Sequence, residues 1–213
     1  MREGTGADYY RNRIKNDMYA IFFKRVIDII FSLLILPFIL LEILILAPII
    51  YTCDLGPIFY NATRVGRYGR KFKMFKLRSM YVNTPDIRNE DGSTFNSDDD
   101  PRVTKIGKIL RKTSLDEFPQ FLNVLLGDMS LIGPRPTVPT VDYADMDELQ
   151  KKRLSVRPGV TGYVQAYYRN SISATDKLKY NCYYVDNLSF VMDMKIFFQT
   201  IKSVLLHKNI NTH

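Results

Sequence analysis

The chain has 213 residues, enough for one compact domain with a real core and short appendages. Its formal net charge of +8 and pI of about 9.4 call for an anionic partner: nucleic acid, an acidic membrane surface or a phosphorylated substrate. Cys53 and Cys182 match no metal-ligand spacing and point to a reducing, cytosol-facing compartment, while His207 and His213 lie too close to the C-terminus to suggest a catalytic triad.

Residues 1–20 are polar and predict a surface arm. Between Asp28 and Asp54 the one charged residue is Glu42, flanked by the apolar runs Ile29–Leu41 and Ile43–Cys53. Together the runs exceed the roughly 20 apolar residues that cross a bilayer. The block is too long for a signal peptide and no small-residue cleavage site follows it. Pro37 and Pro48 each remove a helix hydrogen bond and favour a kink. Glu42 at the centre of a full span would cost on the order of 3 kcal/mol. Lys24 and Arg25 precede the segment; Arg64, Arg67, Arg70, Lys71, Lys73, Lys76 and Arg78 follow it. Positive charge on both flanks predicts two cytoplasmic ends. Two topologies fit this pattern, a single-span anchor and a bent helix that enters and leaves by one face.

The stretch from Pro57 to Met80 alternates apolar and basic residues and predicts one or two strands. A polar loop follows over 82–101. Its Asp98, Asp99 and Asp100 could hold a metal, although such a run is more often simply solvated. A helix is predicted over Asp116–Leu126, with Phe118, Phe121, Leu122 and Leu125 on one face, Pro119 in the first turn and Gly127 as the stop. A second is predicted from Phe190 to Leu206. Its Phe190, Met194, Phe197, Ile201 and Val204 form a face that packs on the domain or lies in the membrane surface. The tyrosines between Tyr163 and Tyr184 suit core, interface or sugar contact alike.

The sharpest constellation is S-L-D-E-F-P-Q, Ser114 to Gln120. Ser114 and Glu117 match a capping box, and acids at a helix start favour its dipole. The surroundings add chemistry. Arg111 and Lys112 lie just upstream. G-P-R-P at 133–136 and R-P-G-V-T-G at 157–162 hold Arg135 and Arg157 on stiff backbone, and guanidinium suits bidentate phosphate recognition. A carboxylate ringed by such arginines can attack phosphorus directly or hold a divalent metal that screens phosphates.

K-R-V-I-D-I-I-F-S-L-L at 24–34, F-K-M-F-K-L-R-S-M at 72–80, the block from Leu110 to Pro136 and R-P-G-V-T-G at 157–162 resemble the bacterial sugar transferases, the monotopic phosphoglycosyl transferases. The resemblance covers roughly residues 20–206 and is to the minimal catalytic form, without the extra transmembrane helices of larger members. It implies transfer of a phosphosugar from a UDP-sugar to undecaprenyl phosphate, giving undecaprenyl-diphosphate-sugar and UMP. The reaction would be ping-pong, through a phosphosugar carried on Asp116, with Glu117 in support and Mg²⁺ held beside the pair. It further implies that Arg111 meets the lipid phosphate, that Arg135 and Arg157, with Pro134 and Gly159 in the same motifs, lie near the nucleotide-sugar phosphates, and that Lys76 of the 72–80 block binds substrate. The family's hydrophobic helix is re-entrant and breaks at a Ser-Pro pair. Pro37 matches the proline, but Leu36 stands where serine is usual. N-S-I-S at 170–173 and N-L-S-F at 187–190 resemble the branch that uses N-acetylated, modified sugars.

The expected fold is therefore a mostly helical α/β membrane-associated domain. An arm occupies 1–20, a re-entrant helix 21–56, a catalytic domain 57–206 and a tail 207–213. It would act on the cytoplasmic face of the bacterial inner membrane, with the phospholipid bilayer and no nucleic acid as partner. Two other readings share the residues. One is a membrane-bound glycosyltransferase that releases UDP, and the other is a basic adaptor without enzymatic activity, which leaves the Asp116–Glu117 pair unexplained.

Overall fold

The computed structural model describes residues 14, 17–85, 87, 97, 100–169 and 171–205. A π-helical turn, Tyr19–Phe23, leads into one long helix, α1, Lys24–Thr52. The helix does not stop at Pro37 or Pro48; both lie inside it. The expected break at Pro37 is thus not an interruption of the helix, and neighbouring turns carry it past each missing N–H. Tyr19–Thr52 is the one stretch, among the described residues, long and apolar enough to cross a membrane.

Lys24, Asp28, Ser32, Ile39 and Ile50 of α1 are buried and follow a helical period, so they form one stripe against the body of the protein. Both ends of α1 are fastened to that body. At the start, Lys24 pairs with Asp193, Arg25 donates to the Val124 and Leu125 carbonyls, and Asp28 accepts from Ser130 Oγ at 3.1 Å and Leu131 N at 2.9 Å. At the end, Arg78 donates to the Ile50 carbonyl and pairs with Asp54. The opposite face, including Ile30, Leu34, Phe38, Leu41 and Leu44, is exposed. A contiguous apolar surface of that kind suits a membrane.

The predicted strands are present as an antiparallel hairpin, β1 Ala62–Val65 with β2 Lys71–Met74. Helix α2, Lys105–Thr113, is capped by Thr104, whose hydroxyl accepts from Gly107 N at 2.9 Å. Gly107 is there because a Cβ would lie 1.9 Å from the Ser79 carbonyl oxygen, so only glycine lets α2 seat against the chain beyond β2. Helix α3 is Gln120–Leu126, preceded by a 3-10 turn at Leu115–Glu117. The predicted start at Asp116 is therefore corrected. Ser114 adopts a left-handed conformation (φ 59°) that ends α2, makes no capping bond, and leaves Pro119 to cap α3. Gly127 stops α3 as expected, at φ 88°.

Strand β3, Ser130–Ile132, pairs in parallel with β4, Gly159–Thr161. Between them lies α4, Glu148–Arg153; after them come α5 Tyr163–Tyr167, α6 Ala174–Asp186 and α7 Phe190–Leu205. Helix α7 has the predicted extent, and of its predicted apolar face Phe197 packs on the core. Asp193, Ile196 and Ser203 are buried, while Phe190, Ile201 and Val204 are exposed. The reason is Asp193, which takes Lys24 and the Tyr184 and Tyr19 hydroxyls, the last two at 2.8 and 2.6 Å, and so turns inward. Ile14, of the expected arm, is buried with Tyr184 and Ile196. Tyr163, Tyr167, Tyr168, Tyr180 and Tyr183 form one aromatic cluster, with Tyr168 and Tyr180 stacked at 4.5 Å. His207, His213, Asp98 and Asp99 lie outside the described residues.

Candidate active site

Asp116 sits in the middle of the 3-10 turn and is 1% exposed. The Leu77 N–H donates to its carbonyl at 3.0 Å, which stitches the turn to the segment after β2. Asn123 of α3 holds that segment from the other side, accepting from Phe75 N and donating to the Lys73 carbonyl, both at 2.8 Å. Lys76 lies between these two anchors and faces the acids. Its Nζ is 2.7 Å from Asp116 Oδ2 and 3.4 Å from Glu117 Oε1. The contact with Asp116 is an ion pair in which no described donor is aligned on Oδ2. Charge is compensated while the oxygen's lone pairs stay uncommitted.

Glu117 also meets Arg135, whose Nη2 is 3.3 Å from Oε1. Burial would raise the Glu117 carboxyl, but Arg135 and Lys76 outweigh it and hold it below the usual carboxylate range. Arg111 donates from Nε to Ser79 Oγ at 2.9 Å. Burial draws its guanidinium pKa down, and the carboxylates of Asp116 and Asp100 oppose that.

The two proline-flanked motifs meet each other. Gly133 N donates to the Thr161 carbonyl at 2.9 Å and Gly159 N to the Pro134 carbonyl at 3.0 Å. A Cβ on Gly159 would lie 2.1 Å from Gly133 N, so the two backbones touch with no room for a side chain. Pro134 and Gly159 therefore build the junction, and the junction delivers Arg135 to Glu117. Arg157 is directed elsewhere. Its Nε donates to the Gly127 carbonyl at 2.9 Å, at the opposite end of α3 from Asp116, where Arg25 covers two further carbonyls. Both arginines satisfy the open end of that helix.

The structure thus brings together Asp116, Glu117, Lys76 and Arg135, with Arg111 in the field of Asp116. Arg157 stands apart, and Pro37 lies within α1. Two further residues lie in the electrostatic field of the acids. Arg169, in a left-handed conformation after α5, feels the charge of Glu117. Glu42 of α1 feels the charge of Asp116. Nothing in the spacing of the sequence links either to the acidic pair; Glu42 gave a signal only as a charge in an apolar run.

Among the described residues no three His, Cys, Asp or Glu side chains gather as a metal cage. Asp100 is paired with Arg102 at 2.7 Å. The Asp116–Glu117 pair is an all-oxygen, two-carboxylate set. That fits Mg²⁺, which usually takes one or two carboxylates and completes its shell with substrate phosphates and water. A separate cavity lined by Tyr19, Asp28, Phe31, Leu131, Met194 and Phe197 lies between α1 and α7 and includes none of these groups.

A buried Asp116 beside a half-buried Glu117, on a helix-entry turn held by a lysine and an arginine beside a long apolar helix, agrees with the resemblance seen in the sequence. Residues 19–207 match the family described as bacterial sugar transferase. The chain belongs to that family. Among its relatives it is 48% identical over 162 residues to a galactosyl transferase CpsE of Streptococcus agalactiae, covering 72% of this chain and 36% of that one. It is 39% identical over 197 residues to a UDP-N-acetylgalactosamine-undecaprenyl-phosphate N-acetylgalactosaminephosphotransferase of Aeromonas hydrophila, covering 90% and 45%. It is 36% identical over 197 residues to the exopolysaccharide production protein ExoY of Sinorhizobium fredii, covering 87% and 86%. The chain spans less than half the length of the first two of these relatives.

Proposed function

We propose that this sugar transferase moves a sugar phosphate from a UDP-sugar to undecaprenyl phosphate and releases UMP. The observation that carries the reading is the buried Asp116 carboxylate, 2.7 Å from Lys76, with no donor aligned on Oδ2. The Aeromonas relative, whose name states such a transfer, adds support.

In the first step an Asp116 oxygen attacks the sugar-bearing phosphorus. The bond from that phosphorus to the bridging oxygen breaks, and UMP leaves with the electron pair. In the second step an oxygen of the lipid phosphate attacks the same phosphorus, and the bond to Asp116 breaks. Lys76, shared by both acids, offsets negative charge as the phosphates approach. Arg135 and Arg111 are the guanidinium groups placed to orient them. Mg²⁺, held by Asp116 and Glu117, would screen the phosphate charges. The donor sugar is one of a UDP-linked set that includes galactose and N-acetylgalactosamine, the sugars in the names of two relatives.

We read the membrane placement from how α1 is held. A helix that crossed the bilayer would leave the catalytic body at one end, whereas here both ends and the buried stripe between them are held by it. This supports a helix that bends at Pro37 without losing its continuity, dips into one leaflet and returns, with the acids at the headgroup level of the cytoplasmic face. The functional test is an assay of UMP against UDP release over a UDP-sugar panel with undecaprenyl phosphate present. UMP is expected, with activity abolished by chelation and restored by Mg²⁺. UDP as product, or full activity in excess chelator, would contradict this reading.

A further inference from the structure

The corner where α3 ends gathers arginines from three separate stretches of chain. Arg25, on the first turn of α1, donates to the Val124 and Leu125 carbonyls. Arg157, of the R-P-G motif, donates from Nε to the Gly127 carbonyl at 2.9 Å. Arg70, in the turn between β1 and β2, brings Nη2 to 3.8 Å from Asp128 Oδ1. That turn is seated by its backbone, since the Tyr68 N–H donates to the Leu154 carbonyl at 2.8 Å, and it carries Arg67 as well.

Closing the helix end accounts for part of this cluster only. It uses Nη1 and Nη2 of Arg25 and Nε of Arg157. Nη1 and Nη2 of Arg157 have no acceptor among the described residues, and Arg70, with 79% of its side chain exposed, has its long contact with Asp128 alone. Charge does not balance either. Four arginines stand against two acids, Asp128 and Asp28, and Asp28 already accepts from Ser130 and Leu131. Burial, then the like charges of Arg67 and Arg25, draw the Arg157 guanidinium pKa down, with Asp28 opposing them.

A phosphate meets such a surplus, because its oxygens match the fork of a guanidinium. The rim of the corner says which kind of phosphate. Leu126, between the capped carbonyls of Leu125 and Gly127, is 68% exposed. Phe22, one turn before Arg25, and Val26, next to it, are exposed too. Apolar side chains around a basic floor match a phospholipid, whose phosphate sits directly above its acyl chains; a soluble nucleotide gains nothing from them. The corner also lies at the far end of α3 from Asp116, roughly 15 Å along the chain's helical rise, so a phosphate held here is not the one that reacts.

We propose that this corner binds the phosphate headgroup of an anionic phospholipid through Arg25, Arg70 and Arg157, and thereby fixes the depth at which α1 enters the membrane. The inference rests on the membrane placement read from α1 and is independent of the chemistry at Asp116.

The test uses the full chain in neutral-detergent micelles, with phosphatidylglycerol, phosphatidylcholine and inorganic phosphate as probes. Native mass spectrometry counts the lipid retained per chain, and a titration gives its affinity. Wild type should retain one phosphatidylglycerol, held more tightly than either other probe. Arg70→Gln removes an exposed cation that closes no helix end. It should melt like wild type and weaken phosphatidylglycerol about fivefold, the factor that corresponds to about 1 kcal/mol per basic residue at an anionic membrane surface. Arg157→Gln should weaken it at least as much; should that variant fail to fold, Arg70→Gln decides. Lys179→Gln removes the same charge from an exposed position on α6 and should bind like wild type. Equal affinity for the two lipids, inorganic phosphate bound as tightly as phosphatidylglycerol, unchanged binding in Arg70→Gln, or an equal loss in Lys179→Gln would overturn the proposal. A wild-type chain that does not sediment with liposomes of either lipid would overturn the membrane placement and this proposal with it, so the two failures are distinct.

Discussion

The division of labour among charged residues is sharper in three dimensions than along the chain. The turn that carries Asp116 is fixed by its backbone, through the Leu77 N–H, while Lys76 pairs with its carboxylate. Asp116→Asn is isosteric and leaves that backbone bond in place. It should fold like wild type, with an unchanged melting temperature, yet lose turnover by about three orders of magnitude or more, as removal of a covalent nucleophile does. Near-normal turnover in that variant would exclude the covalent role. The acidic pair and the G-P-R-P arginine were legible as a constellation, because residue type and local order carry that signal, whereas Lys76 came only through the family resemblance. Arg157 shows the limit. Its proline-flanked motif reads like that of Arg135, but one guanidinium reaches an acid and the other a helix end, and only the β3–β4 junction decides which. Glu42 and Arg169 were illegible in this connection, since folding alone puts them in the field of Asp116 and Glu117.

At the level of elements, the hairpin, the stop at Gly127 and the extent of the last helix were readable from alternation, glycine and period. The start of α3 was not. Ser114 and Glu117 fit a capping box, yet a left-handed serine ending α2 and a proline opening α3 claim the same residues and displace it. For α7 the period allowed packing or the membrane surface, and the structure divides that face, with Phe190, Ile201 and Val204 outward, Phe197 on the core and Asp193 anchoring the helix inward. The fastening of α1 carries a pH dependence. Hydrogen bonds from Arg78, then from the Val82 N–H, hold the Asp54 carboxyl below its ordinary 3.8, against the opposing effect of burial. A depressed folded-state pKa means the stabilisation is complete above the unfolded value and is lost as pH falls through the folded one. Hydrogen exchange at the end of α1, around Ile50–Asp54, should therefore be constant from pH 7 to about 4, after correction for intrinsic rates, and should accelerate below about pH 3.8. Asp54→Asn should show the faster exchange already at pH 7. Equal protection in the variant and wild type would show that the clamp contributes nothing.

For the whole molecule, the unresolved choice in the sequence was topology, since Pro37, Glu42 and the basic flanks allow either a span or a dip. The structure adds that α1 is continuous and that its two ends and its buried stripe are all bound to one body. The proposed dip predicts that position 5 and the catalytic domain share one side of the membrane. Single cysteines replacing Thr5 or Ser97, in a background lacking Cys53 and Cys182, report on it in intact cells. Both should resist a membrane-impermeant thiol reagent until the cells are opened. Labelling of the position-5 variant from outside, with the position-97 variant protected, would mean that the helix spans the bilayer.

The most direct test of the account is the mass of the protein itself after incubation with the UDP-sugar that supports turnover and Mg²⁺, without undecaprenyl phosphate. The account predicts that one sugar phosphate is added per chain, that one UMP is released with it, and that the added mass maps to the peptide containing Asp116 and vanishes when the lipid acceptor is supplied. Release of UDP, or a sugar phosphate carried on any other residue, would contradict it.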